Sequence, residues 1–222
     1  MPSGPDRFEI DIPLTELLVK DRELIVRTDK ALAHAVQCGG EHLVCRPGCT
    51  PCCHGAFAIS QLDALRLRLA MSELAMADAE RAKAVSARAA AYREQYGSSF
   101  PGDTASGILG TTPEAEAAFE DFANDAACPA LDPTSGRCDL YNARPMTCRT
   151  FGPPVRHASD AGEGFAVCEM CFTEAFPEEI EAAEMKPPFA EEQELLRHFK
   201  PESGETIVAW CLKLPSDHPT AA

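Results

Sequence analysis

The chain has 222 residues, of which 45% are hydrophobic and 25% charged, proportions of a folded chain long enough to bury a core. Twenty Lys and Arg against 35 Asp and Glu leave a net charge of −15; this field repels nucleic-acid phosphates and anionic lipid headgroups, so nucleic acid is not an expected partner. Eleven cysteines fall short of the density of a small disulfide scaffold, and an odd number resists complete pairing.

The first thirty residues place Asp6, Glu9, Asp11, Glu16, Asp21 and Glu23 where a secretory signal needs an uninterrupted apolar run. No stretch offers the roughly 18 uncharged apolar residues of a bilayer span. A soluble, cytoplasmic, acidic protein with no membrane association follows as the expectation, and in that compartment thiols stay reduced.

In chain order, Leu17, Leu18, Leu24, Ile25, Leu32, Ala35 and Val36 recur at helical spacing, which predicts a helix over 15–36 capped by Thr15 and stopped by Gly39-Gly40. Residues 41–55 carry Pro and Gly among their cysteines and read as a loop. Ser60 with Asp63 opens a second helix along the stripe Leu62, Leu65, Leu69. An Ala-rich helical region continues to Tyr96, either as one rod or as a hairpin broken near Asp78. Residues 97–112 read as a loop, and Thr112-Pro113-Glu114 starts a helix running to about Ala126. The run Asp132-Pro133-Thr134-Ser135-Gly136 is a turn by composition and predicts a small β-hairpin near 128–141. Residues 159–205 hold thirteen acidic side chains and read as a helical, solvated flank broken at Pro177 and Pro187-Pro188, followed by a frayed tail. We see no internal repeat.

Nine of the eleven cysteines form three groups: Cys45-x3-Cys49-x2-Cys52-Cys53, Cys128-x9-Cys138-x9-Cys148, and Cys168-x2-Cys171. Pro47 and Pro51 keep the first group out of a helix. A loop of this kind can turn several sulfurs inward while its free amides hydrogen-bond thiolates, as zinc and iron–sulfur sites require. All nine are therefore candidate metal ligands. Adjacent side chains diverge, so Cys52 and Cys53 suit separate metals or separate corners of a cluster. Arg137, Arg144, Arg149 and Arg156 against Asp132 and Asp139 give a local positive charge that would offset thiolates, unless these arginines pair with the acidic flank. Tyr141, Arg144 and Arg149 are candidate cofactor- or substrate-binding residues or buttresses of the loop. His54 reads as a loop histidine, Cys38 and Cys211 as buried free thiols, and Trp210 as a packing anchor.

The metal stays open at this point: only Cys168-x2-Cys171 has the zinc-knuckle form, and neither group matches the ferredoxin spacing. Cys45-x3-Cys49-x2-Cys52 has the spacing of radical S-adenosylmethionine enzymes, but Pro51 stands where those carry an aromatic residue, and Ala-rich helix follows where they carry a barrel. Over residues 45–171, the first group with Ser60-x2-Asp63, then Cys128-Pro129-x-Leu131, then Gly136-x-Cys138-x2-Tyr141-x2-Arg144-Pro145-x2-Cys148-Arg149-x-Phe151, resembles the YkgJ-like cysteine-cluster proteins. That resemblance implies chelation of zinc or iron by these cysteines, including a [4Fe–4S] cluster, and supplies no substrate.

The expected protein is mainly α-helical, a single metal-stabilised domain with irregular Cys-rich loops and a small β-hairpin. Along the chain we divide it into an N-terminal helical segment (1–40), a cysteine-cluster domain (41–175) with a helical insert (60–126), and an acidic flank (176–222). Two functions compete: an iron or iron–sulfur protein serving redox or modification chemistry, and a non-catalytic zinc-stabilised interaction module. A radical S-adenosylmethionine-type enzyme ranks below both. No hydrolase, kinase or dehydrogenase motif is present.

Overall fold

A computed structural model describes residues 10–46, 48–159, 162–200 and 203–214. Pro47 and the tail beyond 214, on which two of the expectations above fall, lie outside the described residues. Over the described residues the chain is mainly α-helical with three two-stranded antiparallel hairpins. In order the elements are α1 (Leu14–Gly39), α2 (Gln61–Ala77), α3 (Ala79–Tyr96), β1 (Gly102–Asp103), β2 (Ile108–Leu109), α4 (Pro113–Glu120), β3 (Leu131–Asp132), β4 (Arg137–Cys138), α5 (Met146–Thr150), β5 (Val155–Ser159), β6 (Gly162–Ala166), α6 (Pro177–Ala182), α7 (Phe189–Leu196) and α8 (Val208–Cys211). Among the described residues no helix is long and apolar enough to cross a membrane.

The chain sorts into two compact units, each assembled from distant stretches. The first holds the described residues of 10–11, 48–145 and 199–214; the second holds those of 12–46 and 146–198.

In the first unit, Ser60 caps α2 in a full capping box. Its hydroxyl accepts from the Asp63 amide at 3.2 Å, and the Asp63 carboxylate accepts in return from the Ser60 amide at 3.4 Å and hydroxyl at 3.1 Å. That carboxylate, buried, also pairs with the Arg66 guanidinium. Ser60→Ala is expected to cost about 1 kcal/mol, the usual worth of an N-cap, measured by urea unfolding at unchanged m. The Ala-rich region breaks at Asp78, whose side chain accepts from the Arg81 amide at 3.1 Å to cap α3. Helices α2 and α3 pack on each other as a hairpin. Ile59, Leu67, Met71, Val85 and Ala89 from this part of the chain close a core with Leu140, Cys211 and Leu212. A second core is aromatic: Trp210 stacks on Phe100 with ring centroids 4.2 Å apart, and Phe100 meets Phe122 edge-on at 5.7 Å. Trp210 is the anchor expected of it.

Two hairpins in this unit share one turn. In β1–β2, Asp103 accepts from the Ala105 and Ser106 amides and the Ser106 hydroxyl, and Gly107 takes φ +76°. In β3–β4, Asp132 accepts from the Thr134 and Ser135 amides and the Ser135 hydroxyl, and Gly136 takes φ +67°. The common pattern D-x-x-S-G is a short repeat that the sequence reading passed over, because five residues carry no hydrophobic period. The first copy lies where a plain loop was expected.

Helix α4 starts as read, with the Thr112 hydroxyl accepting from the Ala115 amide and Pro113 at its first position. It ends at Glu120, six residues before the expected Ala126. The chain there is taken out of the helix by Ala123 at φ +52° and by the Gly55 amide donating to the Ala126 carbonyl at 2.9 Å.

In the second unit, α1 buries the face Leu17, Asp21, Leu24, Thr28, Ala35 and packs on α5, α6 and α7. Thr15 lies inside the helix rather than at its cap; Pro13 takes that place with no side-chain bond, and Gly40 at φ +49° closes the other end. Ser159 and residues 162–166, expected at the start of a helical flank, belong instead to the β5–β6 hairpin that begins at Val155. Its β-branched and aromatic residues Val155 and Phe165 suit strands, and Arg156 lies over the Phe165 ring at 4.6 Å. Pro177 begins α6 at its first position instead of interrupting a helix.

Candidate metal centre

None of the eleven cysteines is joined in a disulfide. The nine clustered ones divide between the units: Cys49, Cys52, Cys53, Cys128 and Cys138 belong to the first, and Cys45, Cys148, Cys168 and Cys171 to the second.

In the first unit, the loop after Gly48 is held against the β3–β4 hairpin. The Cys128 amide donates to the Cys53 carbonyl at 2.7 Å, and His54 bridges Ala127. A Cβ on Gly136 would stand 3.6 Å from Thr50 and 3.7 Å from the Gly48 carbonyl, so the hairpin turn rests on the stretch that contains Cys49. Pro51–Cys53 is a single 3₁₀ turn. Within it, neighbouring Cys53 first, and burial second, push the Cys52 thiol far above its ordinary range, while Arg144 opposes the shift. Cys128 and Cys138 pack against the first core. Burial raises the Cys138 thiol, and the Leu140 amide and the Arg144 and Arg81 cations lower it. The hairpin is fastened to α3 by Asp139, which accepts from Arg81 at 2.6 Å and Arg88 at 2.5 Å, while Arg88 also reaches the Pro129 carbonyl at 2.8 Å.

In the second unit, Cys45 is exposed and its sulfur would stand 3.6 Å from a Cβ on Gly152; the Cys168 amide donates to the Gly152 carbonyl at 3.4 Å. Gly152 sits at φ +120°, so a side chain there is strained although a Cβ would make only ordinary contacts. Cys171 is buried against Leu43, Phe172 and Ala183. Burial raises its thiol, the backbone amides of Cys45 and Val44 donate to the sulfur and lower it, and neighbouring Cys168 raises it again. Cys148 lies on α5, whose Met146 packs against Thr28 of α1 at 3.7 Å.

The four arginines separate in role. Arg144 lies over the Tyr141 ring at 3.7 Å, donates to the Tyr141 carbonyl at 3.1 Å, and turns its charge toward Cys52 and Cys138. Arg149 is 3% exposed and bonds Asp29 at 2.6 Å, a buttress between α5 and α1. Arg156 pairs with Glu184 at 3.1 Å, as an arginine against the acidic flank would. Arg137 is exposed on β4. His54 donates its Nδ1–H to the Thr50 carbonyl at 3.1 Å, within its own loop. Cys211 is buried as expected, whereas Cys38 is exposed, since the buried face of α1 passes through Gly39 in the last turn. Arg81, Val44 and Gly152 were not legible in the sequence: they act through charge, an amide and a positive φ, none of which carries a ligand signature.

Among the described residues no group of three or more His, Cys, Asp or Glu side chains stands in an arrangement that could hold an ion. Cys53 raises the Cys52 thiol and Cys168 raises that of Cys171; metal binding releases thiol protons. The donor chemistry fits zinc or iron: sulfurs only, amides aimed at one of them, and a cation beside two others.

A mainly helical chain that folds distant stretches onto one another around reduced sulfurs defines a thiolate-rich metal-binding class. The chain belongs to the CxxCxxCC family, described as a "putative zinc- or iron-chelating domain", whose pattern matches residues 44–171, more than half of the chain. No curated protein and no solved structure matches it significantly.

Proposed function

We propose that the chain chelates its metal through two all-cysteine centres, one in each unit, and that the first carries iron, as an iron–sulfur centre, for redox or modification chemistry in the cytoplasm. Cys49, Cys52, Cys53, Cys128 and Cys138 would hold the first; Cys45, Cys148, Cys168 and Cys171 would hold the second. The observation that supports this reading is the backbone pairing of sulfur-bearing stretches far apart in sequence: the Cys128 amide donates to the Cys53 carbonyl at 2.7 Å, and the Phe172 amide, next to Cys171, donates to the His42 carbonyl at 2.8 Å, close to Cys45.

An iron–sulfur centre supplies one-electron chemistry when bound. The residues of the first unit do the rest. Arg144 offsets thiolate charge beside Cys52 and Cys138, Tyr141 holds the Arg144 guanidinium in place, and Asp139 with Arg81 and Arg88 fixes the hairpin that carries Cys138. Tyr141, 47% exposed, and Arg144 offer a planar donor surface to an anionic substrate or cofactor. Arg149 supports the second unit through Asp29 and is the weaker candidate for binding.

The second centre suits structural zinc, a reading favoured by the knuckle Cys168-x2-Cys171 with two successive amides, Val44 and Cys45, aimed at Cys171. Protein purified anaerobically, then examined by visible absorption and by analysis for iron, sulfide and zinc, tests the assignment. Brown protein with iron and sulfide beside zinc is the expected result. Colourless protein with zinc alone removes the redox role and leaves a zinc-stabilised interaction module.

A further inference from the structure

Outside the matched family region, α1 carries two exposed metal-ligating side chains one turn apart, His34 and Cys38. Positions i and i+4 share a helix face, so both donors lie on the same side of α1. The Cys38 sulfur stands 3.7 Å from Nε2 of His34 and 3.9 Å from Nδ1. Zinc takes sulfur at about 2.3 Å and imidazole nitrogen at about 2.0–2.1 Å, and at a tetrahedral angle those bonds set the two donors about 3.6 Å apart. The pair is thus already spaced as two neighbouring corners of a tetrahedron.

Its surroundings suit a cation. The last turn of α1 has no basic residue, so the negative end of the helix dipole is uncompensated there. His34 also lines a cavity of about 200 Å³ with Ala31, Glu181, Ala182, Glu184 and Lys186. Glu184 is engaged by Arg156 at 3.1 Å and Lys186 at 3.7 Å; Glu181 is 69% exposed and only 3.6 Å from Arg156, its nearer competitor for an ion.

We infer that His34 and Cys38 form a bidentate surface site for a borderline-soft divalent cation of the zinc class, with water completing the coordination. A mixed imidazole–thiolate pair selects such ions over Mg²⁺ and Ca²⁺, which prefer oxygen. The site is separate from the cysteine centres proposed above and does not depend on which metal they hold.

The full chain, reduced and kept with the metal it carries from purification, is titrated with Cd²⁺ under anaerobic conditions while thiolate-to-cadmium absorption is followed. The wild type is expected to take up one equivalent more than either His34→Ala or Cys38→Ser, with unchanged circular dichroism because both side chains are exposed. Cys38→His, which keeps two donors at the same spacing, is expected to recover the equivalent without the thiolate absorption. Equal uptake by wild type and both variants, or loss with Cys38→Ser alone, overturns the inference, since the first leaves only a thiol–imidazole hydrogen bond and the second a single reactive thiol. All four chains share the nine clustered cysteines, so failure of the cysteine centres would alter them equally and leave this difference readable.

Discussion

Cys171→Ser is expected to release the metal of the second unit and to unfold that part of the chain at ambient temperature. Cys171 is 4% exposed and packs with Leu43, Phe172 and Ala183, so its sulfur joins a ligand position to a small apolar core. Among the described residues this cluster is small: four buried residues with Cys168, Ala175 and Ile180 at its edge. Since an ordered thiolate site does not exist in the unfolded chain, a structural zinc contributes folding free energy on the order of 10 kcal/mol, comparable to the whole stability of a domain. Cys52→Ser is expected to remove the metal of the first unit and to leave that of the second. Cys211→Ser, whose buried thiol donates to the Ile207 carbonyl at 3.6 Å, is expected to keep both. Metal content per chain, read beside circular dichroism, checks all three. Full metal content in Cys171→Ser or Cys52→Ser contradicts the ligand assignment.

The second large effect lies away from sulfur. Trp210→Ala is expected to cost about 3–5 kcal/mol, the range for emptying a large aromatic site. Trp210 is 4% exposed, stacks on Phe100 at 4.2 Å with an interplanar angle of 25°, and donates its indole N–H to the Thr104 carbonyl at 2.9 Å. That bond joins it to the β1–β2 turn, where Gly107 has no room for a Cβ: one built there would stand 2.3 Å from the indole ring. The substitution therefore opens a cavity and orphans a turn carbonyl at once. Denaturant unfolding at fixed metal content measures the loss, and a change below about 1 kcal/mol, within the range of surface substitutions and small repackings, contradicts the packing described.

What the sequence displayed was whatever is decided within a few residues. Ser60 and Asp63, Thr112 and Pro113, Asp78, and the turn from Asp132 to Gly136 each act on amides at most four residues away, and each stands where the pattern put it. Features decided by distant partners were not displayed. The end of α4 depends on Gly55, the β5–β6 hairpin on cross-strand pairing, and the sorting of residues into two units on which stretches come together. The ligand candidates were visible because cysteine clusters are rare. Their grouping was not, since Cys45 and Cys49 are four residues apart and belong to different units. Nor does spacing reveal that Cys52 and Cys53 share one 3₁₀ turn, or that the Val44 amide serves Cys171.

X-ray absorption at the metal edges of the purified, reduced protein addresses the central claim most directly, because it counts the atoms bound to the ion. The account predicts a first shell of sulfur alone, at about 2.3 Å for zinc, with an added iron–iron distance where the first centre is an iron–sulfur cluster. A shell of nitrogen and oxygen would contradict it.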